Sequence, residues 1–410
     1  MLERALQLRR NDPESPLLLG PETIALNTGS PPFPVDPRVK QAMTEAVRRI
    51  EVLSYPPTEG SPALRQEIAD FSRRTLGLPF AAENVVITYG AMQALYLAAR
   101  FVALAEPGAE VLLPAPFWFH FPSIVEYAGA VPVIFPTAPE TGFKLTPALL
   151  ERHLTAKSRL LLLTQPGNPT GSVYRREELA ALAEVIVRHP RLLVAADEVY
   201  NLLVLDGEGP LPRTAPSLGS LPAVADRVLT LNSCSKNQAM SGLRVGWIGA
   251  TRKDVVERLV QIQRFTSLGA NEVLQEGARA ALAATPEIVG GIVGQLAVRR
   301  RLAVELLGGV PGFRFAVPES SYYFWVDVRA YEGYVTPKGR PIRNDVDLAD
   351  FLLEDGSVAV VTGSSCHVPG YFRITYAVPE RVLELGVARI RQSLAKLRRS
   401  DGTESPCPVP

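Results

Sequence analysis

The stretch "RVLTLNSCSKNQAMSGLRVG", residues 227–246, joins an apolar run to a lysine. Residues 227–233 read as a strand covered on both faces, because leucine and valine sit on both sides of its two-residue period. Lys236 follows at once among small polar residues, and Arg244 stands eight positions further on. Burying a charge is costly unless it is paired. A lysine at the end of a core strand therefore needs a reason, even though most lysines simply sit in solvated loops.

The same texture extends upstream. Further apolar runs lie at 84–88, 110–114, 131–135, 159–164 and 191–197. Helix candidates fall between them, "GAMQALYLAARFVAL" from Gly90 and "REELAALAEVIVRH" from Arg176. This alternation predicts an α/β fold whose large domain has a mostly parallel sheet flanked by helices. A helical stretch at 286–307 leads into "FRFAVPESSYYFWVDV" and "VAVVTGSSCHVPGYFRITYA", whose more alternating strands read as a smaller α+β domain. The expected division is an N-terminal arm at 1–45 packing on the small domain, a large domain at 46–295, the small domain at 296–395, and a disordered tail at 396–410.

Composition narrows the function. The 410 residues are 47% hydrophobic with a formal charge of +1, and without a long basic run nucleic acid is not an expected partner. No window approaches eighteen consecutive apolar residues, so no membrane span is expected. The charged start "MLERALQLRRNDPESP" does not read as a secretory signal. Three distant cysteines, Cys234, Cys366 and Cys407, fit a reducing compartment, and a cytoplasmic location is expected. No G-x-G-x-x-G follows a strand, no P-loop is present, and four scattered histidines offer no metal pair, so no metal is expected.

Ligands of such sheets bind at the carboxyl ends of the strands. After residues 84–88 comes Tyr89-Gly90-Ala91-Met92, a glycine turn opening a helix. Free N–H groups there suit a phosphate, although an ordinary strand-to-helix turn looks the same. After 110–114 comes the aromatic cluster "APFWFHFP", in which Trp118 can stack on a planar ring or simply pack. After 159–164 comes "QPGNPTG", where Asn168 caps a helix or meets a ligand. Asp197 ends the next run, as a helix cap or as a desolvated carboxylate in need of a partner. With Lys236, these five strand ends would together serve one ligand, pyridoxal phosphate. It needs a helix N-terminus, an amine for its aldehyde and a carboxylate for its pyridine nitrogen.

Over roughly residues 25 to 395 the chain resembles the class I/II aminotransferases of the fold-type I pyridoxal-phosphate enzymes. The resemblance rests on "YPPTEGSPALR", "TYGAMQAL", "NPTG", "DEVY", "SCSKNQAMSGLRVG" and "YFRITYA" in this order. It implies that Lys236 takes the cofactor aldehyde and then moves the proton at the substrate carbon. Asp197 would pair with the pyridine nitrogen, Asn168 and Tyr200 with the ring's phenolic oxygen, and Trp118 would stack on the ring. Gly90, Ala91, Met92, Ser233 and Arg244 would hold the phosphate, and Tyr55 would reach it from a second copy in a homodimer. Arg373 would clamp the substrate carboxylate, with Gly29, Asn168 and Tyr322 beside it. The implied reaction moves an amino group between an amino acid and a 2-oxo acid. A pyridoxal-phosphate lyase, cyclase or oxidase is the alternative.

Some positions depart from the family pattern, chiefly near the substrate end. Phe121 stands where many relatives carry a histidine supporting the aspartate, with His120 beside it as a substitute. Ser320 and Tyr322 replace a usual glycine and a frequent phenylalanine, and Cys366 and His367 sit in the loop before Arg373. An aromatic lining of Trp118, Phe117, Tyr322 and Tyr371 predicts a neutral or apolar amino acid, with Arg264 taken as structural or surface-facing.

Overall fold

The computed structural model describes residues 22–30, 32–52, 54–207 and 211–399. Strand β1 (Ile24–Ala25) belongs to the arm. The large sheet is built from β2 (Val85–Thr88), β3 (Glu110–Ala115), β4 (Val131–Pro136), β5 (Ser158–Thr164), β6 (Leu193–Asp197), β7 (Val228–Ser233) and β8 (Gly246–Gly249). Their order across the sheet is β2-β8-β7-β6-β5-β3-β4. Strands β3 to β7 pair in parallel, and β8 runs antiparallel to both β2 and β7.

Both faces of this sheet are covered. On one, Val111, Leu113, Leu160 and Leu162 pack with the helix Gly90–Ala105 through Leu95, Leu97 and Val102. On the other, Leu112, Leu161, Leu163 and Val194 meet the helix Arg176–Arg188 through Leu179, Leu182 and Ile186. Each fully buried leucine contributes about 1.5–3 kcal/mol, which explains why near-continuous apolar runs specify this sheet. Two strands depart from the expectation. β4 ends the sheet and pairs with β3 alone, so along it only Phe135 is buried. β8, "GWIG", carries no apolar run. It is narrow because a Cβ on Gly246 would lie 2.6 Å from the carbonyl carbon of Gly90.

The helix Thr285–Gly308 leads to a four-stranded antiparallel sheet of β9 (Arg314–Phe315), β10 (Tyr323–Asp327), β13 (Val361–Thr362) and β14 (Tyr371–Thr375). Three short strands complete the set, β11 (Tyr334–Val335), β12 (Val358–Ala359) and β15 (Arg398–Arg399). β1 pairs in parallel with β12, while the helix Pro37–Arg49 packs against Glu272–Ala283, with Met43 filling the space a Cβ on Gly277 would need. A division at 45/46 thus falls inside a helix. The start of the tail also differs from its reading. Lys396 is paired with Asp355 at 2.8 Å and β15 pairs with β11, so residues 396–399 are ordered. Residues 1–21 and 400–410, with Cys407, lie outside the described residues.

Among the described residues no single helix is long and apolar enough to cross a membrane.

Candidate active site

The carboxyl ends of β2, β3, β5, β6 and β7 open into one cleft. Ala91 and Met92 line it from the start of the helix Gly90–Ala105. No side chain caps that helix, so its first N–H groups remain available to an anion. Gly90 has φ +72°, and a Cβ there would lie 2.6 Å from Nη2 of Arg244. Glycine is therefore required both by backbone conformation and by the approach of the guanidinium. Arg244 itself is exposed with φ 56°, and donates to the carbonyls of Ser241 (2.9 Å) and Tyr89 (3.3 Å). Ser233, buried at the end of β7, accepts from the N–H of Ser235 at 3.2 Å. This corner combines a helix start, a hydroxyl and a cation, and it suits a phosphate.

Asp197 lies at the centre of the cleft wall. It is buried, and its Oδ1 has no hydrogen-bond partner. Burial pushes the carboxyl up to about 7, opposed by the N–H of Val199 and the charge of Lys236. An unpaired carboxylate in such a place calls for a positively charged ligand group, and a protonated pyridine nitrogen fits. Glu198, on the opposite side of the chain, is pushed up to about 8 by burial, against a 2.6 Å bond donated by Ser217. No helix follows Asp197, so the capping role does not apply.

Lys236 is half-buried, and its Nζ donates to the carbonyl of Gly29 at 2.5 Å. Trp118 lines the cleft, with Phe121 edge-on to it at 5.9 Å. Asn168, joined to Pro169 by a cis peptide, donates to the Tyr200 hydroxyl at 3.5 Å and accepts from Nη1 of Arg373 at 3.3 Å. Arg373 is buried in β14 and also donates to the carbonyl of Asn27 at 2.8 Å. The structure thus gathers Lys236, Asp197, Tyr200, Asn168, Trp118, Ala91, Met92, Ser233 and Arg244 around one cleft, with Gly90, Gly29 and Arg373 directly behind it.

Tyr55, expected to serve the site of a second copy, is 84% exposed and does not line the cleft of its own chain. Several other expected placements differ. Tyr322 is fully buried behind the cleft and donates to the carbonyl of Gly29 at 2.8 Å. Tyr323 lines the cleft instead, its hydroxyl 3.2 Å from that of Tyr200 and its ring 4.2 Å from the Arg373 guanidinium. Sequence reading missed Tyr323. No local signal separates the two tyrosines: Tyr322 precedes β10, Tyr323 opens it, and their rings pack together at 4.6 Å, so their roles are set by the long-range partner of each hydroxyl, Gly29 for Tyr322 and Tyr200 for Tyr323.

Phe117 is buried between Phe121 and His367, and Tyr371 stacks on Trp325 beside a separate cleft, so neither lines the site. His120 packs on Trp118 and Phe119 and borders an outer groove. Cys366 is buried with Trp325 and Tyr371, and burial pushes the imidazole of His367 down. Arg264 is exposed on the helix Lys253–Thr266.

Comparison with known proteins accords with this geometry. The family model described as aminotransferase class I and II matches residues 21–390. A bifunctional aspartate aminotransferase and glutamate/aspartate-prephenate aminotransferase of Petunia hybrida is 36% identical, over 92% of this chain and 78% of that protein. An aspartate/prephenate aminotransferase of Cereibacter sphaeroides is 34% identical over 92% of each. The crystal structure of an aspartate aminotransferase from Rhizobium meliloti superposes with a TM-score of 0.87 at 31% identity, covering 96% of this chain and 95% of that one. With the family model spanning nearly the whole chain and the fold shared end to end, the protein belongs to the class I and II aminotransferases, enzymes whose cofactor is pyridoxal 5'-phosphate.

Proposed function

We propose that this aminotransferase takes the amino group of a neutral or apolar amino acid and passes it to a 2-oxo acid. The observation that carries this reading is the assignment of cations at the cleft. Among the described residues around it, the cations are Lys236, Arg244 and, behind Tyr323, Arg373. Phosphate, aldehyde and α-carboxylate use all three. The rest of the lining is Met92, Leu95, Trp118 and Val199 with the hydroxyls of Ser235 and Ser241, and a second carboxylate placed there would find no further cation, at considerable cost.

Bound, the cofactor supplies an aldehyde that accepts the amino group and a ring that draws off the electron pair released at the substrate carbon. The chain's residues do the rest. Asp197 Oδ1 holds the proton on the ring nitrogen, and its burial makes that charge pair strong. Asn168 and Tyr200 hydrogen-bond the phenolic oxygen, and Trp118 covers the ring. The N–H groups of Ala91 and Met92, with Ser233 and Arg244, hold the phosphate. Arg373 grips the α-carboxylate through a planar fork that Tyr323 and Asn168 keep in place. Lys236 Nζ then moves the proton at the substrate's α-carbon.

The names of the relatives favour a second reading, an acidic donor such as aspartate. A panel of donors with 2-oxoglutarate or pyruvate, read by mass spectrometry of both products, separates the two. Phenylalanine, leucine or methionine should outperform aspartate, and preference for aspartate or glutamate would sink the apolar reading. A lyase, cyclase or oxidase gains no support from relatives named as aminotransferases.

We also infer a homodimer in the cytoplasm. Tyr55, Tyr127 and Phe265 are each more than four-fifths exposed, an unusual outlay of aromatic surface for a lone chain. In a two-fold pair Tyr55 would serve the neighbouring site. Mixing inactive Lys236→Ala with an inactive Tyr55 variant should restore activity, and an active monomer by light scattering would exclude the shared site. The described cysteines, Cys234 and Cys366, are buried and in no disulfide, in keeping with a reducing compartment.

A further inference from the structure

Residues 27–30 of the arm run across the back of the cleft and touch each of its three working parts. The carbonyl of Asn27 accepts from Nη2 of Arg373 at 2.8 Å. The carbonyl of Gly29 accepts from Nζ of Lys236 at 2.5 Å. The hydroxyl of Ser30 lies 2.6 Å from that of Ser241, whose carbonyl holds Arg244. The carbonyl of Gly29 has a second donor, the hydroxyl of Tyr322 at 2.8 Å. Tyr322 is fully buried, its ring held edge-on to Tyr200 at 5.7 Å and tilted against Tyr323 at 4.6 Å.

These two donors are not equivalent. Condensation of Nζ of Lys236 with the cofactor's aldehyde would release water and leave the nitrogen at most one proton, and with the nitrogen tied to the cofactor its bond to Gly29 would be given up. The Tyr322 hydroxyl takes no part in that chemistry and keeps its proton. We propose that Tyr322 is a positioning residue that holds segment 27–30 against the site through the Gly29 carbonyl whenever Lys236 is engaged by the cofactor. This rests on the reading of Lys236 as the cofactor's lysine. A carbonyl with two donors loses one and stays satisfied, whereas with the tyrosine removed it would be left buried and unpaired. Because Asn27 shares the segment, the same contact steadies the carbonyl that orients Arg373. Loosening it should raise KM for both substrates more than it lowers kcat.

The test is Tyr322→Phe, which keeps the ring packing and removes one bond, followed by amide hydrogen exchange of peptides covering residues 24–30. In the holoenzyme the variant should exchange roughly fivefold faster than wild type, the equivalent of one net hydrogen bond. In cofactor-free protein, where Lys236 still donates to Gly29, the change should be less than about twofold. In a Lys236→Ala background, Tyr322→Phe should again give the large effect. Equal acceleration in all three forms, or none in any, would overturn the proposal. Borohydride trapping of the cofactor on Lys236 tests the underlying reading separately. If trapping fails, that reading falls, while the Lys236→Ala pair still decides whether Tyr322 and Lys236 share the Gly29 carbonyl.

Discussion

The two ends of the cleft are built by different means. At the end proposed to hold the cofactor, each group stands at or just beyond the end of a strand in one sheet. Gly90 follows β2, Trp118 follows β3, Asn168 follows β5, Asp197 closes β6 and Lys236 follows β7. Parallel strands finish along a common edge, so distance from the end of an apolar run fixes a residue's place in space. At the substrate end Arg373 sits in the middle of β14, and its neighbours Asn27, Asn168 and Tyr323 arrive from three separate segments. The energetics differ as well. The proposed cofactor end keeps a buried carboxylate oxygen of Asp197 unpaired, whereas Arg373, proposed to receive the substrate carboxylate, already has carbonyl and amide acceptors. One end depends on its ligand, and the other is held ready by the protein.

The sharpest way to break this comparison is at Lys236. Lys236→Ala should lower turnover by on the order of 10⁴-fold and abolish borohydride trapping, while leaving the phosphate corner intact. Residual turnover near wild type would remove Lys236 from the chemistry.

Asp197→Asn comes next, with an expected loss of roughly 10²–10³ in kcat, as for other preorganised electrostatic groups. The ligand-dependent character of this end also gives a stability test with a definite sign. In the folded chain Asp197 holds its proton up to about pH 7, whereas an unfolded aspartate releases it near 3.8. Between those values the folded state binds the extra proton, so stability falls as pH rises through the window and stays low above it. A shift of this size is worth on the order of 4 kcal/mol. Cofactor-free Asp197→Asn should therefore resist urea better than wild type at pH 8, with the gap narrowing towards pH 5. A variant less stable than wild type at pH 8 would show that the carboxylate is compensated after all.

The same contrast decides what the sequence discloses. Lys236, Asp197, Asn168 and Gly90 can be located from local pattern alone, because strand ends are local signals. Strand β8 cannot, since Gly246 and Gly249 are chosen by close approach to Gly90 and Phe80 rather than by burial of a side chain. The exposed strand β4 was misread for a related reason, as an edge position is a property of the whole sheet. The exchange of roles between Tyr322 and Tyr323 turns on tertiary contacts, since both rings pack on Tyr200 and only the distant partner of each hydroxyl distinguishes them. Arg373 was legible only through the family resemblance, because nothing in "YFRITYA" says that its arginine is buried under a tyrosine from another strand.

At the substrate end the effects should be smaller. Arg373→Lys keeps the charge but loses the planar fork and the stacking on Tyr323. We expect KM for amino donor and oxo acid to rise together by roughly 30-fold, about 2 kcal/mol, with a smaller change in kcat. An unchanged KM would mean that another group receives the α-carboxylate.

The smallest expected effect concerns Arg264. It lies near the C-terminal end of the helix Lys253–Thr266, exposed, and followed by the still more exposed Phe265. It contributes nothing to the cleft of its own chain, so Arg264→Ala should alter kcat/KM for phenylalanine or leucine by less than about twofold, as surface changes away from the site do. The informative comparison is with aspartate. If a homodimer brought Arg264 to the neighbouring cleft, it would supply the second cation that the single chain lacks. Aspartate would then lose efficiency selectively, by the 2–5 kcal/mol typical of stranding a buried charge. Equal and slight effects on both donors would leave Met92, Leu95 and Trp118 as the groups that meet the substrate side chain, and keep the substrate end apolar.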